Sequence, residues 1–244
     1  MTIRRQSSQE SRALLNMRQH LVQQKVALEN NISGILKPFG LIIRRGGKCP
    51  EKFVQRVIEI LPMAGDTGDR LKEIIMPSLK LYLVTTEQLA LLTKQVEMMA
   101  KKDPVCKRLM TVPGVGPVVS LSFATAVDNP ERFKSPNDVG AYFGLTPRQF
   151  QSGESNHTVG VSKRGDTMVR QHLVTAATVL LSSNIKWCPL KSWGVRLASR
   201  RGMFKARIAV ARKLAIIMHK MWITGQDFKW SESSIKELEG LQLA

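Results

Sequence analysis

Acidic side chains are scarce in this chain. Its 244 residues hold 19 Asp and Glu against 37 Lys and Arg, leaving a net charge of +18. Such an excess is self-repulsive in a fold and is readily offset by a polyanion. DNA or RNA is the leading partner class; a basic but inert surface and an anionic membrane surface are the competing ones. Cysteine is scarce too. Cys49, Cys106 and Cys188 are far apart and odd in number, which excludes a zinc-ligand spacing and a disulfide framework and fits a reducing cytoplasm. Long apolar runs are missing: none reaches the roughly 18 residues of a membrane-spanning helix, and residues 1–12 lack the apolar centre of a secretion signal.

What is present is helical periodicity. Ser7-x-x-Glu10 has the form of a capping box opening a helix to about Leu36, which Pro38 and Gly40 close. Leu14, Leu21, Leu28 and Ile35 recur every seven residues, widened by Leu15, Val22, Ile32 and Leu36. A second long segment, about 78–101, carries Leu81, Val84, Leu89, Leu92, Val96 and Met99 at helical spacing. Together they predict an antiparallel arm, with a basic turn (Arg44, Arg45, Gly46, Gly47, Lys48) and shorter helices broken at Pro62 and Pro77 between them. An ordinary helical bundle is the plainer alternative.

Asp103-Pro104 marks a new region. In TVPGVGPVVSLSFATAV (111–127), Gly114-x-Gly116 precedes a helix with Pro117 at its first position. This is the form of a helix-hairpin-helix turn, where Gly114 and Gly116 let backbone approach a phosphate and free N–H groups point at it. A tight helix connection is the simpler reading. Ser135-Pro136 then opens a short helix that Gly144 stops.

The stretch QSGESNHTVGVSKRGD (151–166) departs from the helical pattern. A hydroxyl attacking phosphorus needs cations to hold the phosphate and to stabilise the developing charge. Ser152 is expected on a Gly-flanked turn, with Arg148, Lys163, Arg164 and Arg170 close enough in sequence to surround one phosphate. Taken alone, Ser152 reads equally as a turn serine. Further on, residues 203–225 predict an amphipathic helix with Ile208, Ala211, Leu214, Ala215, Met218 and Trp222 on one face, basic residues around the rest, and Gly225 as its cap. His172 and His219 read as structural, and Trp187 and Trp193 as packing the turn between helices.

The run from VPGVGP through AYFGLTPRQF, QSGE and SKRGD to VRQHLV resembles the C-terminal domain of a bacterial insertion-sequence transposase family, the Piv-related group with RuvC-like DEDD domains. The likeness is strong over roughly residues 105–185, and residues 11–40 resemble that family's helical linker. The resemblance implies a DNA recombinase in the bacterial cytoplasm that joins element ends to a target. It implies DNA as partner and, for some members, a structured guide RNA. It also implies a serine nucleophile that maps best onto Ser152, with Ser162 second.

The family's four acidic metal ligands belong to its DEDD domain. Asp66, Asp69 and Glu73 do not match those motifs and read as a solvated face. The chain is therefore expected to be an N-terminally truncated transposase with no cofactor of its own, a divalent metal such as magnesium belonging to the DEDD domain. Alone it should bind nucleic acid without transposing. The alternative is a non-catalytic nucleic-acid-binding or assembly module that pairs with or inhibits full-length transposase. On either reading a homo-oligomer through the helical arm and no membrane role are expected. The expected fold is all-α: an arm over 1–102, a compact helical domain with a helix-hairpin-helix-like turn over 103–226, and a tail over 227–244.

Overall fold

Proline at position 77 does not break the helix it falls in. The second long helix, α3, runs Thr67–Lys102 straight through Pro77, against the expectation of a break there. A proline forfeits one backbone hydrogen bond and crowds the preceding turn. Here Leu71, Ile75, Leu79 and Tyr82 are buried on both sides of it, and that burial outweighs the loss.

The computed structural model describes residues 4–43, 49–152, 155–182 and 184–230, with backbone alone along 149–159. The basic turn Arg44–Lys48 and most of the expected tail lie outside them. The described chain is mainly helical. Before α3 come α1 (Gln6–Leu36) and α2 (Pro50–Ile60). After it come α4 (Pro104–Leu109), α5 (Pro117–Val127), α6 (Pro136–Tyr142), α7 (Thr167–Leu180), α8 (Pro189–Arg201) and α9 (Met203–Thr224). An antiparallel pair, β1 (Pro147–Ser152) and β2 (Ser155–Val161), interrupts the helices. An all-α reading of the sequence omits this hairpin.

The chain divides into two compact units: residues 13–95, and residues 1–12 together with 96–244. In the first, α1 and α3 run antiparallel. Arg18 donates to Thr93 at 3.0 Å and Tyr82 donates to Glu29 at 2.9 Å, so partners fall in sequence as those in α1 rise. Their core holds Ile32, Leu36, Phe53, Val57, Ile75, Leu79 and Tyr82. The buried line on α1 is Leu15, Ile32 and Leu36, while the heptad Leu14, Leu21, Leu28 and Ile35 is only half-buried. On α3 the expected stripe is split: Val96 is buried and Leu89 and Leu92 half-buried, while Leu81 and Val84 point to solvent, 56% and 54% exposed. The capping box at Ser7 is not formed either. The helix starts at Gln6, and the Glu10 carboxylate accepts from the Gln6 amide at 3.1 Å.

In the second unit α9 is central, not peripheral. Seven consecutive residues, Lys213–His219, are buried, and α9 packs against α4, α6, α7 and α8. Over that stretch the apolar face of the helix is taken up by the core. Among the described residues no helix is long and apolar enough to cross one. Residues 4–12 join this unit through ion pairs. Arg5 and Ser8 both donate to the Asp128 carboxylate, and Arg12 pairs with Asp166.

Candidate nucleic-acid interface

The hairpin is built from weak strand formers. Thr158, Val159 and Val161 favour an extended chain, but β1 offers only Phe150, and the Gln and Ser residues give no alternation. Its register pairs Arg148 with Val159, Phe150 with His157 and Ser152 with Ser155. At the base, the Ser162 amide donates to the Thr146 carbonyl at 2.9 Å and the Lys163 amide to the Gly144 carbonyl at 3.2 Å.

That base is locked by backbone-to-backbone approach. Gly144 (φ +66°) and Gly165 (φ +82°) adopt left-handed conformations; a Cβ on Gly144 would meet the Arg164 carbonyl oxygen, and one on Gly165 the Tyr142 carbonyl oxygen. Lys163, at φ 54°, is held left-handed without being glycine, a strained conformation kept by its surroundings. Arg170 fastens the turn from below. It donates to the carbonyls of Phe143 and Arg164, both at 3.1 Å, and to Thr167 at 3.0 Å. Asp166 caps α7 by accepting from the Val169 amide at 3.1 Å.

The result presents Lys163 and Arg164, both exposed, on a rigid turn beside exposed Arg148. The sequence-derived cluster is thus only partly assembled. Arg170 holds the turn rather than facing outward with the other cations. Ser152 ends β1, four residues from Arg148. A strand rises about 3.3 Å per residue, so the serine backbone lies ~13 Å along the hairpin from the basic base. Ser162 instead adjoins Lys163 at that base.

Gly114 has a packing role. At φ +86° its Cβ would lie 2.6 Å from the Ala176 carbonyl oxygen, so glycine lets the turn before α5 approach α7. Gly116 has open space around it and caps α5 in an extended conformation. A second basic surface lies at the α8–α9 junction: Arg196, Arg200, Arg201 and Lys205 are exposed there.

Several buried polar groups in this unit make internal contacts. His172 lies 3.0 Å from the Ser122 hydroxyl, but Ser122 is fully buried and donates to the Val119 carbonyl. Burial holds the His219 imidazole below its ordinary value, and its Nε2 meets the Pro130 carbonyl at 2.9 Å. Burial likewise pushes the Cys106 thiol up to about 12, far from thiolate reactivity. Trp193 packs on the core as expected, whereas Trp187 is 63% exposed. Among the described residues no group of three or more His, Cys, Asp or Glu could hold a metal ion, and Asp66, Asp69 and Glu73 are all exposed.

A helical unit that displays cations on a locked hairpin base defines a domain with a basic surface. Residues 106–190 of this domain match the IS116/IS110/IS902 family of transposases. The chain is 34% identical over 212 residues to the transposase for insertion sequence element IS1111A of Coxiella burnetii, covering 86% of this chain and 57% of that protein. It is 30% identical over 219 residues to a probable family 20 transposase of Pseudomonas aeruginosa, covering 86% and 63%. It is 28% identical over 218 residues to the transposase for insertion sequence element IS1328 of Yersinia enterocolitica, covering 89% and 64%. The chain thus spans about three-fifths of the length of these relatives, and residues 106–190 are the part that is similar to the IS116/IS110/IS902 transposases.

Proposed function

We propose that the chain is the DNA-binding, serine-bearing part of a transposase of this family. The observation that carries the reading is the locked turn presenting Lys163 and Arg164 beside Arg148. Cations on a preorganised scaffold bind phosphate without a further ordering cost. Given the ~13 Å between Arg148 and Ser152 along the strand, these cations grip phosphates flanking the one that the Ser152 hydroxyl attacks. That attack would form a phosphoserine ester and release the deoxyribose oxygen as leaving group. In this reading a RuvC-like DEDD domain would hold the divalent metal that steadies the charge developing on the attacked phosphate. A structured guide RNA is a further partner in this reading.

DNA binding is tested by fluorescence anisotropy on a labelled duplex across a salt series. Affinity should fall linearly on a log–log plot, and neutralising Lys163 and Arg164 together should lower the slope by about 2. A flat salt dependence would remove the reading. The serine is tested in a chimaera, with residues 106–190 of a full-length relative replaced by those of this chain. Ser152→Ala should abolish the covalent protein–DNA adduct and leave binding intact. Loss of the adduct with Ser162→Ala alone would move the nucleophile to the hairpin base.

A second observation favours self-association. Ile74, Leu81, Val84 and Leu91 on α3 are each at least half exposed and fall at successive spacings of seven, three and seven residues, a coiled-coil seam with no occupant inside its own unit. We propose a second copy of the chain as that occupant. Sedimentation should show a dimer that Leu81→Glu dissociates; a monomeric wild-type chain at tens of micromolar would refute it.

A further inference from the structure

A cleft of about 530 Å³ opens beside the hairpin base, between β1, β2, α8 and α9. Its size is that of a small-ligand site. Its walls combine apolar surface from Leu145, Val161, Ile208 and Ile216 with four cations, Arg201, Lys205, Arg212 and Lys213, and among the described residues none that lines it is acidic.

One of those cations is buried, and a second is half-buried with its Nε enclosed. Lys213 is 4% exposed, with its ammonium 3.8 Å from the centroid of the Trp193 ring. The Nε of Arg212 is buried with no hydrogen-bond partner. The Arg212 stem runs against Gly140, where a Cβ would sit 3.0 Å from its Cγ. A buried guanidinium Nε without an acceptor costs stability rather than adding to it. The arrangement suits a ligand with a flat apolar body, carbonyl acceptors and an attached anion.

We propose that this cleft receives a single unpaired nucleotide of the bound nucleic acid. Its base is taken between the apolar walls, and its phosphate is held by exposed Arg201 and Lys205 at the rim. Enzymes that do chemistry on a base draw it out of the stack, and a stacking surface with flanking cations is how single-stranded nucleotides are held. The cleft shares Pro147, Gly160 and Val161 with the hairpin base, so an extruded nucleotide here would fix the register of the strand running toward Ser152. The inference rests on the reading that the domain binds DNA.

The test compares three labelled duplexes with the full chain: fully paired, carrying one bulged thymidine, and carrying one bulged abasic site. The wild-type chain should prefer the bulged thymidine over both others by about tenfold. Ala209→Phe, which fills the cleft, should bring that preference within twofold while the paired duplex binds as before. Arg201→Ala/Lys205→Ala, at two exposed positions, should also shrink the preference and covers the case in which the filled variant does not fold. Equal binding of the abasic and thymidine bulges, or a preference that survives in both folded variants, overturns the inference and leaves the DNA-binding reading standing. Absence of binding to any of the duplexes removes that reading and the inference with it.

Discussion

Asp166 has two duties, and removing it separates them. Its carboxylate caps α7 and pairs with Arg12; the two side chains are only 11% and 18% exposed. Loss of an N-cap costs about 1 kcal/mol. Leaving the Arg12 guanidinium without its counter-charge costs about 2 kcal/mol more, discounted from a fully buried pair because some water reaches both groups. Asp166→Ala should therefore destabilise its unit by about 3 kcal/mol. Asp166→Asn keeps an amide able to cap and should cost about 2. A double-mutant cycle with Arg12→Met should return most of that as coupling. Hydrogen exchange of the α7 amides reads the effect without requiring the whole chain to unfold in one step.

The same substitution tests function with opposite signs. Removing an acidic group raises the net charge and by itself would tighten DNA binding. If Asp166 positions the Lys163–Arg164 turn, affinity falls instead. A loss of under about 0.5 kcal/mol, a purely additive cycle, or tighter DNA binding would each refute the reasoning.

The glycines of the two turns should respond unequally. Gly144→Ala and Gly114→Ala place a Cβ against carbonyl oxygens at positive φ and should each cost about 3 kcal/mol or more, whereas Gly116→Ala, with open space around it, should stay within about 0.5 kcal/mol by urea denaturation. His219 sets a pH dependence. Burial lowers its pKa in the fold, so the unfolded chain takes up a proton first as pH falls below about 6.5. Stability is therefore full above that pH and is lost below it, and His219→Gln should flatten the profile; a wild-type profile already flat from pH 7.5 to 5 would contradict this.

Local signals in the sequence carry well to the structure. Ser135 and Asp138 form the capping box of α6, Gly144 and Gly225 take left-handed conformations where helices end, and α1 stops at Leu36. Non-local chemistry does not carry. Nothing near Arg5 or Arg12 announces Asp128 or Asp166 more than a hundred residues away. Packing also overrides pattern: Pro77 stays inside α3 because its neighbours are buried, and the buried line of α1 runs through Leu15 rather than Leu14. The hairpin was illegible because its first strand has a single strongly apolar residue. For α9, a basic amphipathic pattern concealed a buried helix, since Lys213 lies over Trp193 rather than in water.

The contrast between the two ends of the hairpin bears on why a serine could remain silent until DNA arrives. A two-stranded ribbon on its own is marginal in water. Here its base is over-determined by Gly144, Gly165, Arg170 and the two hydrogen bonds from Ser162 and Lys163. Along the strands, the described support is their own pairing. Cations at the fixed end can therefore capture a phosphate before the serine end meets its target. A hydroxyl is a weak nucleophile until a base, metal or cationic clamp activates it, and along this ribbon the exposed cations lie at the base. On the proposed reading, the DNA strand itself links clamp to nucleophile. Attack is then confined to a strand long enough to span the base and Ser152 together, so an oligonucleotide covering only the Lys163–Arg164 end should bind without forming an adduct.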